Sequence, residues 1–213
     1  MLQRQIAIGD IHGCYDLMRE LIEKVIQFSP SGDMLVFLGD YIDRQGKSKE
    51  VVEYVKSLKE KHPEQVVLLK GNHEDLAYRA LTGMEQGEDM LLWIINGGGA
   101  TISSFGGIGQ AREVLVPFVE SLDLFYETDT HIFVHGGIPP GKDLRTADPS
   151  DLIWDRGFGY SGEKTLVVGH TPQMQVMKIM NKKIICIDTG AFMTGVLSAY
   201  DVITDTIYRA TKG

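Results

Sequence analysis

Apolar residues along this chain fall into two rhythms. Short continuous runs at Gln5–Ile8, Met34–Leu38 and Val66–Leu69 have the length and β-branched content of strands buried on both faces. Between and after them the spacing becomes helical. Tyr15–Phe28 sets Leu17, Leu21, Val25 and Phe28 on one face, Ser48–Lys61 is amphipathic, and Glu74–Leu81, Asp89–Ile95 and Ala111–Leu122 read as further helices. The second half is strand-rich, with strands expected at Leu124–Glu127, Ile132–Val134, Thr165–Val168, Val176–Met180, Lys183–Ile187, Val196–Asp201 and Thr206–Arg209. Asn96–Gly109, with six glycines, reads as a loop between two helices. Early strands with helical crossovers, followed by hairpin-like later ones, predict an α/β (α+β) fold: a two-sheet mixed β-sandwich flanked by helices, as a single domain over residues 1–213.

The chemistry lies where the apolar runs stop. Five of them end at or beside a metal-competent residue, four through a glycine. Ile6–Gly9 runs into Asp10 and His12, Leu35–Gly39 into Asp40, Val66–Gly71 into Asn72, Ile132–Val134 into His135, and Leu166–Gly169 into His170. Ligand sites in sheet proteins gather at the carboxyl ends of strands. Glycine there lets the backbone turn sharply and approach a ligand closely. Two carboxylates, three imidazoles and one amide oxygen form a mixed O/N set without sulfur, which suits Mn²⁺, Fe²⁺ or Zn²⁺ better than Ca²⁺. Six donors exceed one tetrahedral site and match two ions about 3.5–4 Å apart, an arrangement that clamps both oxygens of an in-line displacement. His73, beside Asn72, is placed to act as general acid, with Asp43 to orient it. Arg44 offers a planar fork for phosphate oxygens.

Composition narrows the classes. Hydrophobic residues make up 43% and charged residues 23% of the 213, as in ordinary globular proteins. The net charge of −8 argues against a nucleic-acid groove. A phosphate site on so acidic a chain implies bound cations that dominate the local field. Neither a signal peptide nor a run of about 20 apolar residues is visible, so no membrane association is expected. Two cysteines, Cys14 and Cys186, without a CxxC pair, fit a reducing cytoplasm and no thiolate zinc site. Cys14 reads as a small buried hydrophobe, and His62 and His131 as structural residues. Gly107-Ile108-Gly109 lacks the third glycine and the preceding strand of a dinucleotide loop. Met174, Met177 and Met180 read as filler.

Taken together, Gly9-Asp10-Ile11-His12-Gly13, Gly39-Asp40-Tyr41-Ile42-Asp43-Arg44 and Gly71-Asn72-His73-Glu74 resemble, in order and spacing, the three blocks of the calcineurin-like metallophosphoesterases. His135-Gly136-Gly137, Asp151–Arg156, Gly169–Pro172 and Asp188-Thr189-Gly190 resemble the later blocks, so the likeness spans residues 9–190. The Asp-Arg of the second block and the Asn-His-Glu of the third are similar to the phosphoprotein phosphatase branch. The segment Trp93–Gly99 resembles its small bacterial and phage-lambda-type serine/threonine phosphatases. The resemblance implies a calcineurin-like fold with two divalent ions, Mn²⁺ first and Fe or Zn as alternatives. Asp10, His12 and Asp40 would hold one ion, and Asp40, Asn72, His135 and His170 the other, with Asp40 bridging. It further implies His73 as acid with Asp43, Arg44 and Arg156 on the phosphate, and Glu74 and Asp188 as hydrogen-bonding support behind the ligands. The implied reaction is direct attack of a metal-bridging hydroxide on the phosphorus of a phosphorylated protein or peptide, on serine or threonine with tyrosine as an alternative, by a monomer. Gln45 departs from the glycine usual after the arginine. The competing readings are a symmetrical dinucleoside tetraphosphate hydrolase or other nucleotide phosphohydrolase, and a non-catalytic scaffold.

Overall fold

A computed structural model describes residues 2–83, 87–181 and 183–212; the two ends of the expected 1–213 domain, Met1 and Gly213, lie outside the described residues. The first sheet is built from β1 (Arg4–Ile8), β2 (Asp33–Phe37), β3 (Val66–Leu68), β9 (Val196–Asp201) and β10 (Thr206–Thr211), in the order β10-β9-β1-β2-β3. β1, β2 and β3 are parallel, with Ala7 opposite Val36 and Val36 opposite Val67, and the β9–β10 hairpin adds antiparallel strands at one side. The second sheet holds β4 (Phe125–Glu127), β5 (His131–Val134), β6 (Thr165–Val168), β7 (Met177–Ile179) and β8 (Ile184–Cys186), in the order β4-β5-β6-β8-β7.

The two-sheet sandwich is as expected, but the later strands are less hairpin-like than their spacing suggests. β5, β6 and β8 are mutually parallel, and only β4 and β7 run against their neighbours. The segment between β5 and β6 is long enough for a crossover and contains α7 (Pro149–Trp154), too short to show a helical period in the sequence.

Alternate residues of each strand feed different cores. Ala7, Val36 and Val67 of the first sheet meet Phe133, Val167 and Ile185 of the second. The intervening positions, Ile6, Ile8, Leu35, Phe37, Val66 and Leu68, face the helices. On the far side of the second sheet, Ile132, Val134, Leu166, Val168, Ile184 and Cys186 pack with Leu152 of α7. Burial of both strand faces is why the strands appear as unbroken apolar runs rather than alternating ones.

The helical layer comprises α1 (Tyr15–Arg19), α2 (Ser48–Lys61), α3 (Asn72–Thr82), α4 (Glu88–Trp93), α5 (Gly99–Ser104) and α6 (Ile108–Glu120). α1 continues as a wide π-helical stretch, Glu20–Ile26, that ends at Gln27 in the left-handed region (φ 52°). The expected glycine loop Asn96–Gly109 is largely helical. α4 passes through a second wide turn, Ile94–Gly98, into α5, and the chain kinks at Gly97 (φ 107°). Glycine density conceals the helices, because Gly97 at the kink and Gly106 and Gly107 between α5 and α6 take positive φ while most of the residues around them are helical. No helix among the described residues is long and apolar enough to cross a membrane.

Candidate active site

Six loops leave the carboxyl ends of parallel strands and meet at one margin of the sandwich. Asp10 and His12 follow β1, Asp40 follows β2, Asn72 follows β3, His135 follows β5, His170 follows β6 and Asp188 follows β8. All seven side chains are buried. The turns that aim them are unusual: His12 (φ 46°), Asp40 (φ 51°), Asp43 (φ 72°), Arg44 (φ 67°) and His170 (φ 61°) all sit in the left-handed region. Such conformations cost about 1–2 kcal/mol each for residues with a Cβ, and their concentration here marks a site held in shape by its surroundings.

Glu74 supplies much of that hold. Its carboxylate accepts the backbone N–H groups of Asp40 (2.8 Å), Tyr41 (2.9 Å) and Gly71 (3.0 Å), pinning the Asp40 turn onto the start of α3. Glu74 thus supports the backbone of the turn rather than a ligand side chain. The packing leaves no room for a side chain at residue 71, where a Cβ would stand 2.1 Å from Asp40 Oδ1. Asp188 accepts the Gly190 N–H at 2.7 Å and shapes the turn into α8 (Ala191–Thr194).

Asp40 is the centre of the cluster. His12 Nε2 lies 3.4 Å from its Oδ2 and His135 Nε2 3.4 Å from its Oδ1. The donor atoms form two groups that share Asp40, one with His12 and His73 and one with His135 and His170, each lying within 4.8 Å. Asn72 Oδ1 is 3.0 Å from His135 Nε2. Asp10 accepts the His170 N–H with both oxygens, at 3.2 and 3.0 Å. All six sequence-predicted ligands are therefore brought together.

The hydrogen bonds of the rings decide what the rings can do. Nδ1 of His12 lies 2.9 Å from the Ile42 carbonyl and Nδ1 of His135 2.9 Å from the Leu38 carbonyl. A carbonyl only accepts, so each Nδ1 carries the proton and each Nε2 presents a bare lone pair. The His170 ring is hydrogen-bonded to the Trp154 backbone, and its buried Nε2 has no partner. Burial pushes His12 down to about 4 and His170 down to about 3, and lowers His135 as well, keeping all three neutral. Lone pairs thus face carboxylate and amide oxygens with no proton between them. Divalent cations would satisfy these lone pairs, and the donor set fits such ions.

His73 differs. Its Nδ1 is 2.7 Å from Asp43 Oδ2, and its Nε2 points toward Asp40 Oδ2 at 4.0 Å. Burial alone would depress it, but the charges of Asp40 and Asp43 outweigh burial and raise its pKa. Asp43 is itself fully enclosed. Trp93 Nε1 donates to both its oxygens at 3.1 Å, and Thr101 Oγ1 donates to Oδ1 at 2.6 Å. Neither Trp93 nor Thr101 stood out as a functional residue in the sequence. Trp93 is one more apolar position on a helix, and Thr101 lies in the glycine-rich stretch. Trp93 entered the sequence reading only as the start of the Trp93–Gly99 segment, with no role, although a buried-type Trp needs a partner for its N–H when enclosed.

The two arginines stand exposed at the mouth. Arg156 Nη1 donates to the His170 carbonyl at 3.0 Å. Arg44 lays its guanidinium over the Phe192 ring, 5.4 Å from the centroid, and Phe192 in turn meets His12 edge-on at 5.1 Å. Gln45 donates from Nε2 to the Phe192 carbonyl at 3.2 Å, so the residue that departs from the usual glycine ties the Arg44 loop to α8. His62 and His131 play no part: His62 packs on Phe28, and His131 pairs with Thr130. Cys14 is half-buried rather than buried as expected, and that partial burial pushes its thiol up to about 11.

The Calcineurin-like phosphoesterase family profile matches residues 4–186. The chain belongs to the calcineurin-like phosphoesterases. It is 27% identical over 203 residues to serine/threonine-protein phosphatase 1 of Salmonella typhimurium, covering 90% of this chain and 88% of that one. It is 28% identical over 224 residues to an asymmetrical bis(5'-nucleosyl)-tetraphosphatase of Halalkalibacterium halodurans, covering 90% and 87%. Among solved structures, one whose name proposes a diadenosine tetraphosphatase superposes with a TM-score of 0.76 at 18% identity, covering 100% and 95%, a likeness of fold alone. This calcineurin-like phosphoesterase therefore has relatives of nearly its own length in two substrate classes.

Proposed function

We propose that this phosphoesterase is a protein phosphatase, hydrolysing phosphate monoesters on serine and threonine side chains with two divalent ions, Mn²⁺ foremost. Asp10, His12 and Asp40 would hold one ion and Asp40, Asn72, His135 and His170 the other. When bound, such a pair supplies an activated water and offsets the charge of the phosphate. Arg44 and Arg156 orient the phosphate oxygens from the mouth of the site. His73 donates its Nε2 proton to the departing alkoxide oxygen, while Asp43 keeps Nδ1 protonated and the ring fixed.

One observation carries this reading. Four imidazoles surround Asp40, and all those with a backbone carbonyl behind the ring are neutral donors, whereas His73 alone has a carboxylate behind it and is held as an acid. An acid matters most where the leaving group is a poor one, as an alkoxide is. The Salmonella relative supports the protein substrate. Both cysteines are free, which suits a reducing, cytoplasmic setting.

The Halalkalibacterium relative favours a second reading, hydrolysis of dinucleoside tetraphosphates. Purified Mn²⁺-loaded protein assayed on phosphoserine, phosphothreonine and phosphotyrosine peptides and on dinucleoside tetraphosphates separates the two. The expected result is higher kcat/KM on the phosphoserine and phosphothreonine peptides. A tenfold preference for the tetraphosphates would replace the first reading with the second.

A further inference from the structure

Beside the metal-ligand cluster lies a cavity of 780 Å³ that the phosphate chemistry does not use. It is in the size range of specific ligand pockets and far larger than a phosphate needs. Its wall begins at the site itself. Gly13 follows the ligand His12, Gln45 follows Arg44, and Phe192 touches both His12 and the Arg44 guanidinium. A phosphate gripped by Arg44 would therefore lie at the edge of this wall, next to Phe192.

The lining indicates what that organic part is. Carboxylates at Asp16 and Glu20 match ammonium groups at Lys47 and Lys212. Lys47 is already committed to Asp16, at 2.6 Å. A leaving group with several negative charges, such as a nucleoside triphosphate, meets as many like charges here as opposite ones. A polypeptide meets no such penalty. Met193, 61% exposed, gives the wall a flexible apolar side chain of the sort that accommodates varied partners.

We infer that this cavity seats the polypeptide next to the phosphorylated residue, with an apolar side chain of the substrate against Phe192 and Met193. The inference rests on the protein-phosphatase reading and adds the determinant of its peptide preference.

The test uses Met193→Glu on α8 and Thr211→Trp at the end of β10, two exposed positions on separate elements. The readout is kcat/KM for a phosphopeptide with apolar flanking residues divided by kcat/KM for p-nitrophenyl phosphate. A second readout is the Kd of the labelled, dephosphorylated peptide by fluorescence anisotropy. Both variants should lower the ratio at least tenfold and weaken the peptide by a similar factor. A wild-type protein that turns over phosphopeptides while both variants keep its ratio overturns the cavity assignment and leaves the phosphatase reading intact. A wild-type protein that cleaves only tetraphosphates sinks the phosphatase reading. The anisotropy arm then decides the cavity: binding lost in both variants retains a peptide seat, and no binding by the wild type removes it.

Discussion

Thr101→Val tests whether Asp43 is built to serve His73. The substitution keeps the shape of the side chain and removes the hydroxyl that donates to Asp43 Oδ1 at 2.6 Å and accepts the Asp43 N–H at 2.9 Å. Ser48 Oγ, 3.2 Å from the same N–H, remains to satisfy the backbone, so the loss falls mainly on the carboxylate. A hydrogen bond to a charged group is worth about 1.5–3 kcal/mol. If that is felt where His73 releases its proton, the rate falls about 10- to 100-fold. The fall should depend on the leaving group. A phosphoserine peptide or phenyl phosphate needs a proton on the departing oxygen and should lose the full factor, whereas 2,4-dinitrophenyl phosphate, whose leaving group departs unprotonated, should lose less than threefold, on the order expected when acid catalysis is not engaged. Steady-state kcat on the three substrates, with metal content measured alongside, reads this directly. Equal losses on all three would show that Thr101 merely stabilises the fold and would refute the reasoning.

Three further outcomes are expected. His73→Asn should lower kcat on phosphopeptides by about 10²–10⁴ while plasma emission spectroscopy finds the same metal content as in the wild type; a drop in metal would make His73 a ligand instead. Asp40→Asn should deplete both ions in the same measurement, because its carboxylate is common to the two donor groups. The metal-free protein should lose thermal stability as pH rises from about 6.5 toward 8. Burial carries Glu74 to about 8 and Asp188 to about 7 in the fold, above their unfolded values, so between those limits the unfolded chain holds fewer protons and each rise in pH favours unfolding. The depressed histidines act in the opposite sense only below their unfolded value. Scanning fluorimetry in chelator at the two ends of this window checks the sign, and an increase in Tm toward pH 8 would contradict it.

The convergence of these six side chains was legible because each follows an apolar run, and a run buried on both faces cannot be mistaken for a surface segment. The same property fixed which strands belong to the sandwich. What the chain did not show is how its second half pairs. β5 and β6 are parallel because α7 and its flanking loops carry the chain across, and six residues of helix leave too little period to read, while β6 and β8 are parallel because β7 returns the chain between them. The support for His73 was hidden for a different reason. Thr101 comes two residues after three consecutive glycines, which argue locally for a loop, whereas its hydroxyl ties the helix there to Asp43 and Ser48. Phe192 sits in a four-residue helix after a turn, and nothing about an isolated aromatic indicates that it will lie against His12 and Arg44.

The donors divide between the sheets: Asp10, His12, Asp40 and Asn72 come from one, His135 and His170 from the other, and His135 to the Leu38 carbonyl and Asp10 to the His170 N–H are among the ties that cross the seam at this margin. Chelation there would act as a clasp on the rim of the sandwich. Loading the ions and locking the two halves into one rigid body then become a single event, so protease resistance of the loops at that rim should track metal occupancy, and a fragment carrying only the first sheet would possess four donors with nothing to close upon.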